Sequence, residues 1–171
     1  AIRKDRFLSS IKKQPAFKKE RLGSLRKTMD EKNLQGYLIP RADEYQSEYL
    51  PKSSQRLAWL TGFDGSAGFA IVLKQRAAIF TDGRYTLQIR DQVDKKCFEI
   101  YNTAEIPPLD WLESNLGKND RIGFDPWLHT CDEVIKISTV LKSKNAEAIK
   151  LSKNLIDEIW LDRPPVPLGP I

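Results

Sequence analysis

Two short apolar runs, GFAIVL (68–73) and AAIFT (77–81), stand on either side of the polar interval KQR. Runs of this length, rich in β-branched and aromatic residues, read as strands. A connection this short joins antiparallel neighbours, because a parallel pair needs a crossover of about a dozen residues or more. The segment is therefore predicted to be a β-hairpin with a polar tip. The tip carries no Asn-Gly, so its turn type stays open.

The same reading extends along the chain. Phe17, Leu22, Leu25, Met29 and Leu34 keep helical spacing, with the stop supplied by 33–36. GYLIP (36–40) reads as a strand ended by Pro40, and RLAWLTG (56–62) as a compact helix or turn. RYTLQIRDQV (84–93) is predicted to be a helix launched by Thr81 or Asp82, with Tyr85, Ile89 and Val93 on one face. Strands CFEIYN (97–102), RIGFD (121–125) and EAIKL (147–151) alternate with helical segments. PPLDWLESNLG (107–117) opens on proline and closes on Gly117, the expected asymmetry. Asp125-Pro126 supplies a cap and a first-turn proline, and Thr130 with Glu133 has capping-box spacing ahead of the stripe Val134, Ile137, Leu141. NLIDEIW (154–160) is a short last helix. Strands alternating with helices define an α/β layered domain.

The net charge is +5, but it is not spread evenly. Residues 1–27 hold ten Lys and Arg against Asp5 and Glu20, a net +8, leaving −3 for the remaining 144 residues. A basic helix face is ordinarily a solvated face, so nucleic-acid binding is not expected. No run of about 18 apolar residues is present, which excludes a membrane-spanning helix. Cys97 and Cys131 lie in no disulfide or metal-knuckle pattern, which fits a reducing, cytoplasmic setting. LDRPPVPLGPI (161–171) has four prolines and no periodicity, as an extended linker would. The expected organisation is a basic arm over 1–16, a domain over 17–162, and a linker over 163–171 leading to further domains.

Two glycine-bearing stretches, GFDGSAG (62–68) and TDGRY (81–85), look like parts of one site. Ser66 as a nucleophile would need a base, and His129 is the only histidine. Nor does GSAG match the G-x-S-x-G elbow, so a tight turn is the better reading. Phe63 and Asp64 between glycines would repel a phosphate. Asp64, Asp82 and Asp125, near strand ends, are oxygen donors of the kind that hold Mg²⁺ or Mn²⁺. Helix capping accounts for Asp82 and Asp125, however, and a lone His129 builds no multi-histidine centre. The residues themselves read as scaffold more than catalyst, with no catalytic or metal-ligating residue assigned.

Four stretches in order, YLIPRADEYQSEYLPKSSQRLAWLTGFDGSAGFAIV, AAIFTDGRYTLQ, RIGFDPWLHT and NLIDEIWLDRPPVP, resemble the N-terminal domain of Xaa-Pro aminopeptidases of the creatinase/prolidase superfamily. The resemblance runs from about 17 to 167 and is nearest to the three-domain enzymes. It implies a mixed six-stranded sheet flanked by helices, with a ribonuclease H-like motif. It implies a parent enzyme that removes the N-terminal residue from peptides with proline in second position. Two metal ions, typically Mn²⁺, would be held by two Asp, one His and two Glu in a C-terminal domain. No ligand is carried over to this chain, which is expected to be inactive alone. The implied partners are the remaining domains, peptide substrates and, for the whole enzyme, a second copy.

Tyr45 stands where the family often has histidine, which would remove any titration there. Asp64, Ser66, Asp82, Arg84, Tyr85 and Tyr45 are the candidate substrate-channel or interdomain residues. Either they pin the two loops together, with Arg84 forked onto Asp64 or Glu44, or they wall a substrate channel. A prolidase or creatinase relative shares the domain, and a stand-alone peptide- or RNA-binding module is the reading from another class.

Overall fold

The computed structural model describes residues 18–169. The basic arm and Phe17 lie outside the described residues. Helix α1 covers 18–31 and ends where Asn33 turns into the left-handed region at φ 53°. The turn folds Leu34 back, its amide donating to the Met29 carbonyl at 2.9 Å, so Leu34 enters the core from beyond the helix.

Six strands follow: β1 (Gly36–Pro40), β2 (Phe69–Leu73), β3 (Ala77–Thr81), β4 (Glu99–Asn102), β5 (Arg121–Phe124) and β6 (Glu147–Lys150). They form one mixed sheet in the order β4-β3-β2-β1-β5-β6. β2 runs antiparallel to β1 and β3, whereas β3·β4, β1·β5 and β5·β6 are parallel. The hairpin is present as expected. Leu73 donates to Arg76 at 2.7 Å across Lys74 and Gln75, and neither central residue has positive φ. That excludes the primed turns that Asn-Gly would have signalled.

Alternate residues of the central strands feed two cores. Tyr37, Ile39, Ala70, Val72 and Ile79 face one side, under α1, α2 (Arg56–Thr61), α3 (Thr86–Gln92) and α6 (Leu155–Ile159). Leu38, Ile71, Ala78, Phe80 and Phe124 face the other, under α4 (Pro108–Asn115) and α5 (Cys131–Ser143). With both faces covered, a strand needs no polar face, which is why β2 and β3 read as unbroken apolar runs. The three-layer α/β architecture and the mixed six-stranded sheet agree with the expectation.

Local details differ at three places. α4 stops at Asn115 with Leu116 extended, and the Gly117 amide donates to Asp120 Oδ2 at 2.7 Å, so the glycine is not a left-handed cap. Asp125 caps a 3-10 turn over Pro126–Leu128 instead of α5 itself. Thr130 and Glu133 do form the capping box that opens α5. Asp82 caps a 3-10 turn (Gly83–Tyr85), and α3 begins only at Thr86.

Candidate functional site

Strands β1, β3, β4, β5 and β6 all end at the same edge of the sheet, and antiparallel β2 begins there. The registers Pro40↔Phe69, Phe69↔Phe80, Thr81↔Asn102 and Phe124↔Lys150 establish it. Every candidate residue therefore emerges at this carboxyl edge, where open α/β sheets place their ligands.

GFDGSAG is wound around one side chain. Gly62 at φ 85° closes α2, and Thr61 Oγ1 then accepts the Phe63 amide at 3.1 Å, turning the Phe63 ring inward to 1% exposure. A Cβ on Gly65 would lie 2.3 Å from Phe63 Cζ, and one on Gly68 would lie 3.2 Å from the same ring and 2.7 Å from Leu57. The glycine spacing thus makes room for a phenylalanine. Tyr85 stands edge-on to Phe63, ring centroids 5.8 Å apart.

The two loops are joined, but not by Arg84. Ser66 Oγ hydrogen-bonds the Tyr85 hydroxyl, and Thr81 Oγ1 donates to the Ala67 carbonyl at 2.6 Å. Asp64 Oδ1 accepts from Gln88 at 2.7 Å and Gln92 at 2.9 Å, both on α3. Arg84 pairs within its own loop, Nη2 to Asp82 Oδ2 at 2.7 Å, and lies over the Tyr85 ring at 5.3 Å. The expected fork onto Asp64 or Glu44 is absent because Asp82 is two residues away and α3 already occupies Asp64. The Arg84 side chain remains 71% exposed. Its hydrogen bond holds the Asp82 carboxyl below the ordinary carboxylate range.

Tyr45 lies in the loop after β1. Burial would raise the pKa of Asp43, but the amides of Ser47 and Tyr45 donate to its carboxylate and hold it below its ordinary value. That cage fixes the loop while leaving Tyr45 and Tyr49 about 85% exposed, and Gln46 ties it to the Leu128 carbonyl at 3.1 Å. Trp127, in the turn after β5, is also exposed. Between these loops and α6 lies a cleft of about 420 Å³ lined by Glu44, Arg56, Asp125, Trp127, Asn154 and Asp157. Arg56 was not among the candidates, since it sits inside an apolar segment. It is 3% exposed and bidentate to Asp157 at 2.7 and 3.1 Å. Gln88 and Gln92 were missed too, having no signal beyond their place on the polar side of α3.

His129 packs edge-on against Phe124 with Nδ1 3.3 Å from Glu133. Burial pushes its pKa below the ordinary 6.5, outweighing the opposing pull of Glu133 and Asp125. A histidine with depressed folded pKa stays neutral while its unfolded counterpart binds a proton. Its contribution to stability is present above pH about 6.5 and is lost as pH falls below that value. Wild type should lose stability between pH 7 and 5 relative to His129→Phe. Parallel pH profiles in urea unfolding would show that burial there has no such consequence. Among the described residues no group of three or more His, Cys, Asp or Glu is placed to hold a metal ion.

A three-layer α/β domain presenting its loops at the carboxyl edge of a mixed sheet is the class this geometry defines. The profile of the Creatinase/Prolidase N-terminal domain family matches residues 21–159. Xaa-Pro aminopeptidase 2 of Homo sapiens is 38% identical over 152 residues, 88% of this chain but 22% of the relative. Aminopeptidase P2 of Arabidopsis thaliana is 37% identical over 153 residues, 86% of this chain and 22% of the relative. The chain therefore spans about a fifth of the length of these curated relatives. X-prolyl aminopeptidase from Caenorhabditis elegans, described as a cytosolic enzyme with a di-nuclear active site, superposes with TM-score 0.82 at 32% identity. That match covers 86% of this chain and 26% of the nematode protein. The N-terminal domain of the peptidase PepQ from Mycobacterium tuberculosis H37Rv shares the fold, with TM-score 0.62 at 22% identity over 82% of this chain and 98% of that one. The chain belongs to the creatinase/prolidase N-terminal domain family.

Proposed function

We propose that this chain is the non-catalytic N-terminal domain of a metal-dependent Xaa-Pro aminopeptidase, with its carboxyl-edge loops walling the approach to a site carried elsewhere in the parent. The match along 152 residues with an Xaa-Pro aminopeptidase carries this reading. The parent would remove the N-terminal residue from peptides with proline in second position, in the cytoplasm, with two divalent ions, manganese the expected pair. This reading assigns the metal centre to the remaining domains of the parent; among the described residues no group of three or more His, Cys, Asp or Glu is placed to hold one. Its partners are the remaining domains of the parent, peptide substrates and a second copy of the enzyme. No helix among the described residues is long and apolar enough to cross a membrane.

Arg84, exposed and bonded only within its own loop, supports the channel-wall role for that residue over the pinning role. In the full-length enzyme, Arg84→Ala should raise KM for an Xaa-Pro peptide roughly tenfold, the scale of one charge-assisted hydrogen bond. Its melting temperature should stay unchanged. A lower melting temperature with unaltered KM would return Arg84 to a structural role. Failure of the Mn²⁺-loaded parent to turn over any Xaa-Pro peptide would overturn the assignment itself.

A further inference from the structure

A groove of about 560 Å³ lies between α3 and strand β4 at the end of the sheet, with Thr81 and Asp82 of TDGRY in its lining. Among the described residues β4 pairs only with β3, which leaves its other side a free edge. Thr103 donates to the Thr81 carbonyl at 2.9 Å, which fixes the alternation of the parallel ladder: Glu99 and Tyr101 turn their peptide groups to β3, and Ile100 and Asn102 turn theirs outward. The Asn102 carbonyl is taken by the amides of Glu105 and Ile106. The N–H and C=O of Ile100 and the N–H of Asn102 are left facing the groove. The Phe98 amide donates to Asp94, so at Phe98 the carbonyl alone faces outward.

The charges along the groove are polar from end to end. α3 runs back from the carboxyl end of β3, so Arg90 and Lys95 lie toward the amino end of β4, while Glu105 lies just past its carboxyl end. None of the three is in an ion pair among the described residues, whereas Glu99 is already neutralised by Arg76 at 2.6 Å.

We propose that β4 is a self-association edge: two copies of this chain pair their β4 strands antiparallel about a two-fold axis at Ile100, joining the two sheets. The axis lets Ile100 of each copy exchange both peptide bonds with Ile100 of the other. It sets each Asn102 N–H opposite the other copy's Phe98 carbonyl, using the outward groups and calling on no amide already engaged. The same operation brings position 105 of one copy opposite position 95 of the other, so Glu105 meets Lys95 twice. This is the self-complementarity an isologous interface requires. A parallel partner strand would set like charges together. The inference is independent of the function proposed for the parent.

Sedimentation velocity of this chain over a wide concentration range tests it. A monomer–dimer equilibrium is expected. Lys95→Glu and Glu105→Lys should each weaken it about tenfold, because each converts two weak attractions into repulsions. The double variant Lys95→Glu/Glu105→Lys should restore it. Ile100→Pro, which removes an outward N–H and leaves the β3 ladder intact, should abolish it; circular dichroism confirms folding. Amide exchange at Ile100 and Asn102 should slow with protein concentration. A chain that stays monomeric, or a dimer indifferent to the charge swap, overturns the proposal. So does protection of those amides that appears only when the downstream part of a longer chain is added, which would assign the edge to that segment.

Discussion

Asp157→Ala will destabilise the domain by about 3 kcal/mol, more than a surface ion pair accounts for. Asp157 on α6 holds Arg56 in a bidentate pair and also accepts Arg163 Nη1 at 3.1 Å. Removing it strands a guanidinium that is 3% exposed, and the cost of a buried charge without its partner exceeds the value of the pair. The low end of the buried range applies because Asp157 itself is 27% exposed. Arg163 also donates to the Ser53 carbonyl at 2.7 Å, so the same change loosens the start of the proline-rich tail. Replacing both partners, Arg56→Met with Asp157→Leu, should recover most of the loss, since no charge is then left buried. Urea unfolding of the single and double variants measures this. A loss under about 1 kcal/mol for Asp157→Ala would show that solvent rescues Arg56.

The hydrophobic pattern made most of the layers legible. β2, β3 and α5 were readable because each choice along them, apolar run, cap and polar tip, points the same way. The boundaries were less so. Gly117 looked like a helix stop, but Asp120 offered its amide a carboxylate, and a glycine so bonded needs no left-handed turn. Strand order was invisible to local pattern, because which strands neighbour one another depends on contacts far apart in sequence. The same holds for the carboxyl edge, which gathers Tyr45, Asp64 and Arg84 from loops on different strands.

That GFDGSAG and TDGRY lie together is legible in the sequence, but the bonds between them are not. Arg84 was matched to distant carboxylates on charge alone, whereas a two-residue Asp-to-Arg closure within TDGRY satisfies it locally. Glutamines 88 and 92 carry no charge to attract notice, yet they hold Asp64. Arg56 sat in an apolar context that spoke of a helix core. Its half-buried partner, Asp157, comes 101 positions later, beyond the reach of any spacing rule.

Phe63→Ala is expected to be the most damaging single change at the site, costing about 3–5 kcal/mol through lost burial and a cavity the loop cannot close. The ring is 1% exposed and is the object around which Gly65, Gly68 and Tyr85 are arranged. Its removal takes away the support of the GFDGSAG loop and of the Tyr85 contact that fixes TDGRY. Ser66, Asp64 and Arg84 would remain in the sequence while losing their shared geometry. Phe63→Leu keeps part of the volume and should cost less, which separates packing from any specific need for the aromatic edge. Denaturant unfolding gives the energies, and amide exchange over 62–68 and 82–85 shows whether both loops open together. If Phe63→Ala lowers global stability while exchange in TDGRY stays as slow as in wild type, the ring is only core packing. The two loops would then be held by Ser66–Tyr85 and Thr81–Ala67 alone.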